Sequence, residues 1–129
     1  MKRLAVMLSL FWLSGCASIT GIVPSFWDDN QAAKITDARL IIERIDCGSN
    51  PQVQVGVLRD QLLWFELYSE SKGSRQQGVI RVVHPIRETV EDMHKRYAEG
   101  HASKAYCEIK VRILRSQAQT AAEAVLGRF

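Results

Sequence analysis

The sequence predicts an all-α fold, a small bundle of about four helices, and three observations lead there. Four segments repeat their apolar residues every three or four positions, the spacing that lines one face of an α-helix. Only one stretch, QVQVGV over residues 52–57, alternates with the period of two expected of a strand, and it has no partner strand to pair with. Turn signals at Gly48-Ser49-Asn50-Pro51, at Lys72-Gly73 and at Gly100 separate the segments, within a length of 129 residues that suits one domain.

The opening residues, MKRLAVMLSLFWLSGC, stand apart from that bundle. Lys2 and Arg3 precede a ten-residue apolar stretch from Leu4 to Leu13, broken only by Ser9. A charged start and a short apolar run form the pattern of an export signal, because roughly 20 apolar residues are needed to cross a bilayer core as a helix. Leu13, Ser14, Gly15 and Cys16 then resemble the lipobox of bacterial lipoproteins at every position. The resemblance implies that residues 1–15 are a signal peptide and that Cys16 becomes the first residue of the mature chain. Its thiol would carry a diacylglyceryl group and its new amine a further acyl chain. One acyl chain holds a protein only marginally and two or more hold it stably, so the mature chain is expected to stay on the membrane without a spanning helix. The covalent lipid on Cys16 is the only non-protein group expected; no cofactor is. Ala17 follows the cysteine in place of the Asp associated with inner-membrane retention, which points to the periplasmic face of the outer membrane.

Loss of Lys2 and Arg3 takes the seventeen Lys and Arg down to fifteen, against fourteen Asp and Glu, so the mature chain is close to neutral. A nucleic-acid binder needs a basic stripe to displace counterions, and here the signs are interspersed, so no nucleic-acid partner is expected. The cluster His94-Lys95-Arg96 reads as a solvated helix face. With Cys16 lipidated, Cys47 and Cys107 remain, and an even pair in an oxidising compartment is expected to form a disulfide. Closing a loop of that length restricts the unfolded chain by about 4 kcal/mol on the chain-entropy account. A metal site using both cysteines with His94 and His101 is the alternative, but no CxxC, HxxxH or HExxH spacing is present, and no metal is expected.

Residues 16–25 read as a tether: small residues with Gly21 and Pro24 give no sustained period. Residues 26–129 form the domain, and Phe26 and Trp27 are expected to pack under it. Asp28 and Asp29 suit the positive end of a first helix. Its stripe is Ile35, Ala38, Ile42 and Ile45, widened by Ile41, with Arg39 and Glu43 expected to pair on the outer side. This helix is expected to carry Cys47 at its end. Asn50 as cap and Pro51 in the first turn start a second helix over about 53–71, lined by Leu58, Leu62, Phe65 and Ser69, with Trp64 and Tyr68 broadening the line. Pro85 cannot donate a helical hydrogen bond and restricts His84. A break is therefore expected there: a short helix or turn over about 75–83, then a helix over 85–99 with Ile86, Val90, Met93 and Tyr97 inward. The last helix starts at Ser103 and buries Cys107, Val111, Leu114, Ala118, Ala121 and Val125, flanked by Tyr106, Ile109 and Ile113. Its alanine-rich second half is expected to be a thinly packed tail.

Nucleophilic catalysis needs a Ser, Cys or Thr beside a base that a third group orients. Here the serines lie at helix ends, the three His lack a partner motif, and the mature cysteines are expected to be bonded. Adjacent carboxylates such as Asp28-Asp29 and Glu91-Asp92 diverge by about 100° on a helix and do not converge on a substrate. The chain is not expected to be an enzyme, and no catalytic or metal residue is assigned. Its layout resembles small lipoproteins of unassigned function encoded by tailed bacteriophages, on the lipobox, PSFWDDNQ, ERIDC, WFELYSESKG, YCEIK and AVLGRF. The resemblance implies a protein-binding role in the envelope. One such role is a superinfection-exclusion lipoprotein that occludes a receptor from the periplasmic side. Another is an outer-membrane spanin subunit of lysis, from which the chain departs by having only three prolines. A host scaffold lipoprotein is the third reading.

Overall fold

The computed structural model describes residues 28–100 and 102–127 and shows an all-α four-helix bundle. The helices are α1 (Asp29–Glu43), α2 (Gln52–Ser71), α3 (Gln77–Ala98) and α4 (Lys104–Leu126), with a 3₁₀ turn, Ser74–Gln76, leading into α3. Leu13, Ser14, Gly15, Cys16, the tether, Phe26, Trp27 and His101 lie outside the described residues. Among the described residues no helix is long and apolar enough to cross a membrane.

Short connections make successive helices antiparallel neighbours. Gln31 near the start of α1 meets Ser69 near the end of α2, Arg59 of α2 meets Glu91 of α3, and Asp92 of α3 meets Lys110 of α4. Glu43 and Arg115 close the ring between α1 and α4. One core runs through the bundle, and its largest buried side chains are Phe65, Ile35, Ile42, Leu58, Leu62, Ile86, Met93 and Leu114. Burying each stabilises the fold by about 1.5–3 kcal/mol before the cost of ordering the chain. Gly73 and Gly100 turn the chain at φ +92° and +72°, a region that side chains with a Cβ avoid.

The Asp28 carboxylate caps α1 by accepting from Asn30 N and Gln31 N at 3.0 and 3.1 Å. α1 ends at Glu43, so Cys47 sits in the following loop and not on the helix. The reason is local. Gln54 Nε2 donates to the Arg44 carbonyl at 2.9 Å, and Asp46 Oδ1 accepts from Gly48 N at 2.8 Å, so side chains satisfy backbone groups that a longer helix would have paired. From that loop Cys47 bonds Cys107 in the second turn of α4, with Cα atoms 5.7 Å apart across 60 positions of sequence.

Three further expectations give way. The chain does not break at Pro85: α3 runs unbroken through it. Pro85 lies on the exposed side of α3, so the carbonyl that loses its donor faces water, while Val83 and Ile86 on either side are wholly buried and hold the helix to the core. Their burial outweighs the roughly 3 kcal/mol a proline costs inside a helix. Nor is the end of α4 a thin tail. Ala118, Ala121, Ala122 and Val125 are buried, Arg39 of α1 donates to Gln119 at 2.7 Å, and Thr89 of α3 donates to Gln117 at 3.1 Å. The alanines allow α1 and α3 to close on α4 from both sides. Arg39 and Glu43 do not pair with each other; each reaches across to α4, at Gln119 and Arg115.

Candidate functional site

α2 has two apolar lines on opposite sides. Val55, Leu58, Leu62, Phe65 and Ser69 step by three and four residues and face the core, none more than 2 % exposed. Val53, Val57, Asp60, Trp64, Leu67 and Ser71 step by four and three and face out, with Val53 at 76 %, Val57 at 48 %, Trp64 at 40 % and Leu67 at 57 % exposure. Leu63, 40 % exposed, flanks the outer line. At 100° per residue the outer line lies roughly opposite the inner one, and among the described residues no other helix covers it. Gly56 stands on this outer side in mid-helix, where a Cβ would meet nothing within 4 Å. Glycine there costs about 0.5–1 kcal/mol relative to alanine, and the packing of the chain gives no reason for it.

A shallow groove between α1 and α2 runs beside the outer line, formed by Lys34, Val57, Asp60, Gln61 and Trp64. Lys34 Nζ lies 5.6 Å from the Trp64 ring centre, and Trp64 stacks on Tyr68 at 4.8 Å. Asp60 has no ion pair among the described residues. Where the groove reaches the end of the bundle, the Tyr68 hydroxyl donates to Asp28 and Lys72 Nζ lies 3.3 Å from the same carboxylate. Burial alone would push the Asp28 carboxyl up. Hydrogen bonds from Gln31 N and the Tyr68 hydroxyl, together with Lys72, outweigh it and hold the group below its ordinary range.

The remaining polar groups hold the helices to one another. Glu66, 8 % exposed at its side chain, faces α3, with Arg87 Nε 2.6 Å from one carboxylate oxygen and His84 Nδ1 3.2 Å from the other. Arg87 Nε is out of line for a hydrogen bond, so that contact is one of charge. Gln31 is buried at the end of the bundle and donates to Ser69 Oγ at 2.9 Å and Gln76 Oε1 at 3.2 Å. Asp92 accepts from the Tyr106 hydroxyl at 2.7 Å and pairs with Lys110 at 2.8 Å. Those two partners hold the Asp92 carboxyl below its ordinary range. Burial, then Asp92, pushes the Tyr106 hydroxyl well above its own.

Cys47 and Cys107 are joined, as their number and expected compartment suggested. His84, read as the residue before a break, instead lies inside α3 against Glu66. His94 is on α3, and among the described residues no three His, Cys, Asp or Glu are grouped so as to hold a metal ion. Glu66, Gln31 and the outer line of α2 did not emerge from the sequence, where Trp64 was taken only to widen the core stripe. The available signal was the second four-and-three series, from Val53 to Ser71, running through the same helix as the first. No protein-family model, no curated protein and no solved structure matches the chain.

Proposed function

We propose that this protein is a lipid-anchored component of the bacterial envelope, held by Cys16 on the periplasmic face of the outer membrane, that works by protein–protein contact through the outer face of α2. The observation that carries the contact is the strip Val53, Val57, Leu63, Trp64 and Leu67, exposed along a helix whose opposite side already fills the core. Single exposed apolar residues are ordinary, whereas five along one helix mark a surface that another molecule covers. The anchor rests on Leu13-Ser14-Gly15-Cys16 at the end of the apolar run. Among the roles implied by the likeness to phage lipoproteins, occlusion of an envelope receptor suits a disulfide-tied bundle whose α2 shows five exposed apolar side chains. Leu40 of α1 is exposed as well, as are Ile109 and Ile113 of α4, read from the sequence as flanking the buried stripe. The lysis role belongs to short, proline-rich chains.

Two measurements test this reading. Cys16→Ser is expected to abolish lipid labelling and leave an uncleaved precursor; normal maturation of that variant would end the lipoprotein reading. A photo-reactive residue in place of Leu67 is expected to capture protein in intact cells, and the same residue in place of the exposed Arg112 on α4 is not. Equal capture at both positions, or none at Leu67, would overturn the contact surface.

A further inference from the structure

The outer line of α2 is spaced to take another helix, and its charges select which one. Steps of four and three are the heptad seam of a coiled coil, in which side chains of one helix enter holes on a second. Asp60 interrupts the apolar line near its middle, and Lys34 lies over Trp64, about one turn further along α2. A membrane surface or a purely apolar groove would strip water from Asp60 and return nothing.

We propose that the outer face of α2 pairs with the same face of a second copy of this chain, the two α2 helices antiparallel about a twofold axis at the level of Leu62. The proposal rests on the contact reading of α2 and names its occupant. Reversing one helix about that level sets Val57 against the second copy's Leu67, and Val53 against its Ser71. It also sets Asp60 against the second copy's Trp64, where the second copy's Lys34 lies, so each acid meets a cation and the contact is made twice. Parallel pairing would instead put Asp60 against Asp60, and like charges at close range oppose it. A twofold contact of this kind uses one patch on both copies, and the acid and the cation on either side of the helix midpoint make the patch self-complementary. Leu63, on the flank toward α3, would meet its own counterpart near the axis. The seam is one helix long, so the interface is small and pairing is favoured where anchors hold the copies on one surface.

Cysteine cross-linking of the full chain in the bacterial envelope tests the arrangement, because a disulfide forms only when Cα atoms come within about 7 Å. Leu63→Cys is expected to give a covalent dimer under mild oxidation. Val53→Cys, whose two copies would lie about 27 Å apart along the helices, is expected to give on the order of ten-fold less, no more than the unsubstituted chain. In the Leu63→Cys chain, Asp60→Lys is expected to reduce the dimer and the further change Lys34→Glu to restore it. A stronger dimer from Val53→Cys would mean parallel pairing, and no dimer from either would mean that another protein or nothing covers the face. Either result, or failure of Lys34→Glu to restore the dimer, overturns the proposal. Lipid labelling at Cys16 reads the anchor independently of these bands, and capture at Leu67 by a different protein would leave the contact reading standing while the self-pairing falls.

Discussion

α3 and α2 are similar in length and adjacent in the bundle, yet they use their apolar residues differently. α3 buries Val79, Val83, Ile86, Val90 and Met93 along one stripe and has none of the exposed large apolar side chains. Nearly all of its large hydrophobic side chains lie in the core or against it, and its wet side is polar enough to carry Pro85. α2 buries as full a stripe and then shows Val53, Val57, Leu63, Trp64 and Leu67 on the other side. Folding explains nearly all of α3 and only half of α2. The surplus on α2 is what separates a helix that serves the monomer from one that also serves an interface.

Substitutions along the two lines of α2 should therefore behave in opposite ways. Phe65→Ala, on the inner line, is expected to cost about 3–5 kcal/mol in thermal or denaturant unfolding, through lost transfer energy and the cavity left behind. A loss below about 1 kcal/mol would mean that the inner line is not the packed one. Replacing Cys47 and Cys107 together by Ser is expected to cost about 4 kcal/mol, since the bond closes a loop that includes both α2 and α3. Unchanged unfolding of that double variant would remove the bond from the stability of the fold.

Acid separates the helices further. Asp28 beside α2 and Asp92 on α3 are both held below their ordinary 3.8 in the folded chain. The folded state therefore favours their charged forms. The stability they add is present above about pH 4 and is lost as pH falls through their lower folded values. The melting temperature is expected to fall on that acid limb and to fall less steeply in Asp28→Asn and Asp92→Asn; identical limbs in all three proteins would contradict it.

The smallest effects lie on the outer side of α2. Gly56→Ala is expected to raise stability by about 0.5–1 kcal/mol, because a Cβ there meets open space and the helix gains propensity. A loss would reveal a contact that the chain makes with itself. Leu67→Gln is expected to change unfolding by less than about 0.5 kcal/mol, and a core-sized loss would erase the distinction between the two lines.

Much of the bundle was legible because helix stripes are a local signal. The buried lines of α1, α2 and α4 repeat at helical spacing, and Asp28, Gly73 and Gly100 punctuate them as their chemistry dictates. Pro85 misled because a local rule met a tertiary one: Val83 and Ile86 are buried by neighbours that lie elsewhere in the sequence. Glu66 and Gln31 were hidden for the same reason. A carboxylate or an amide on the inner arc of a helix is acceptable only once Arg87 and His84, or Ser69 and Gln76, are seen to meet it. The outer line of α2 was written in the sequence as a second four-and-three series. Spacing alone does not say which of two lines is buried, and the helix places Val55 on the inner line and Val53 and Val57 on the outer one.

Sedimentation equilibrium of the mature protein in density-matched detergent tests most directly whether the outer line of α2 pairs with that of a second copy. Wild type is expected to shift from monomer to dimer as its concentration rises, and Leu67→Glu to stay monomeric at every concentration while unfolding at the same temperature. A wild type that remains monomeric throughout, or a dimer that Leu67→Glu leaves intact, would contradict the account.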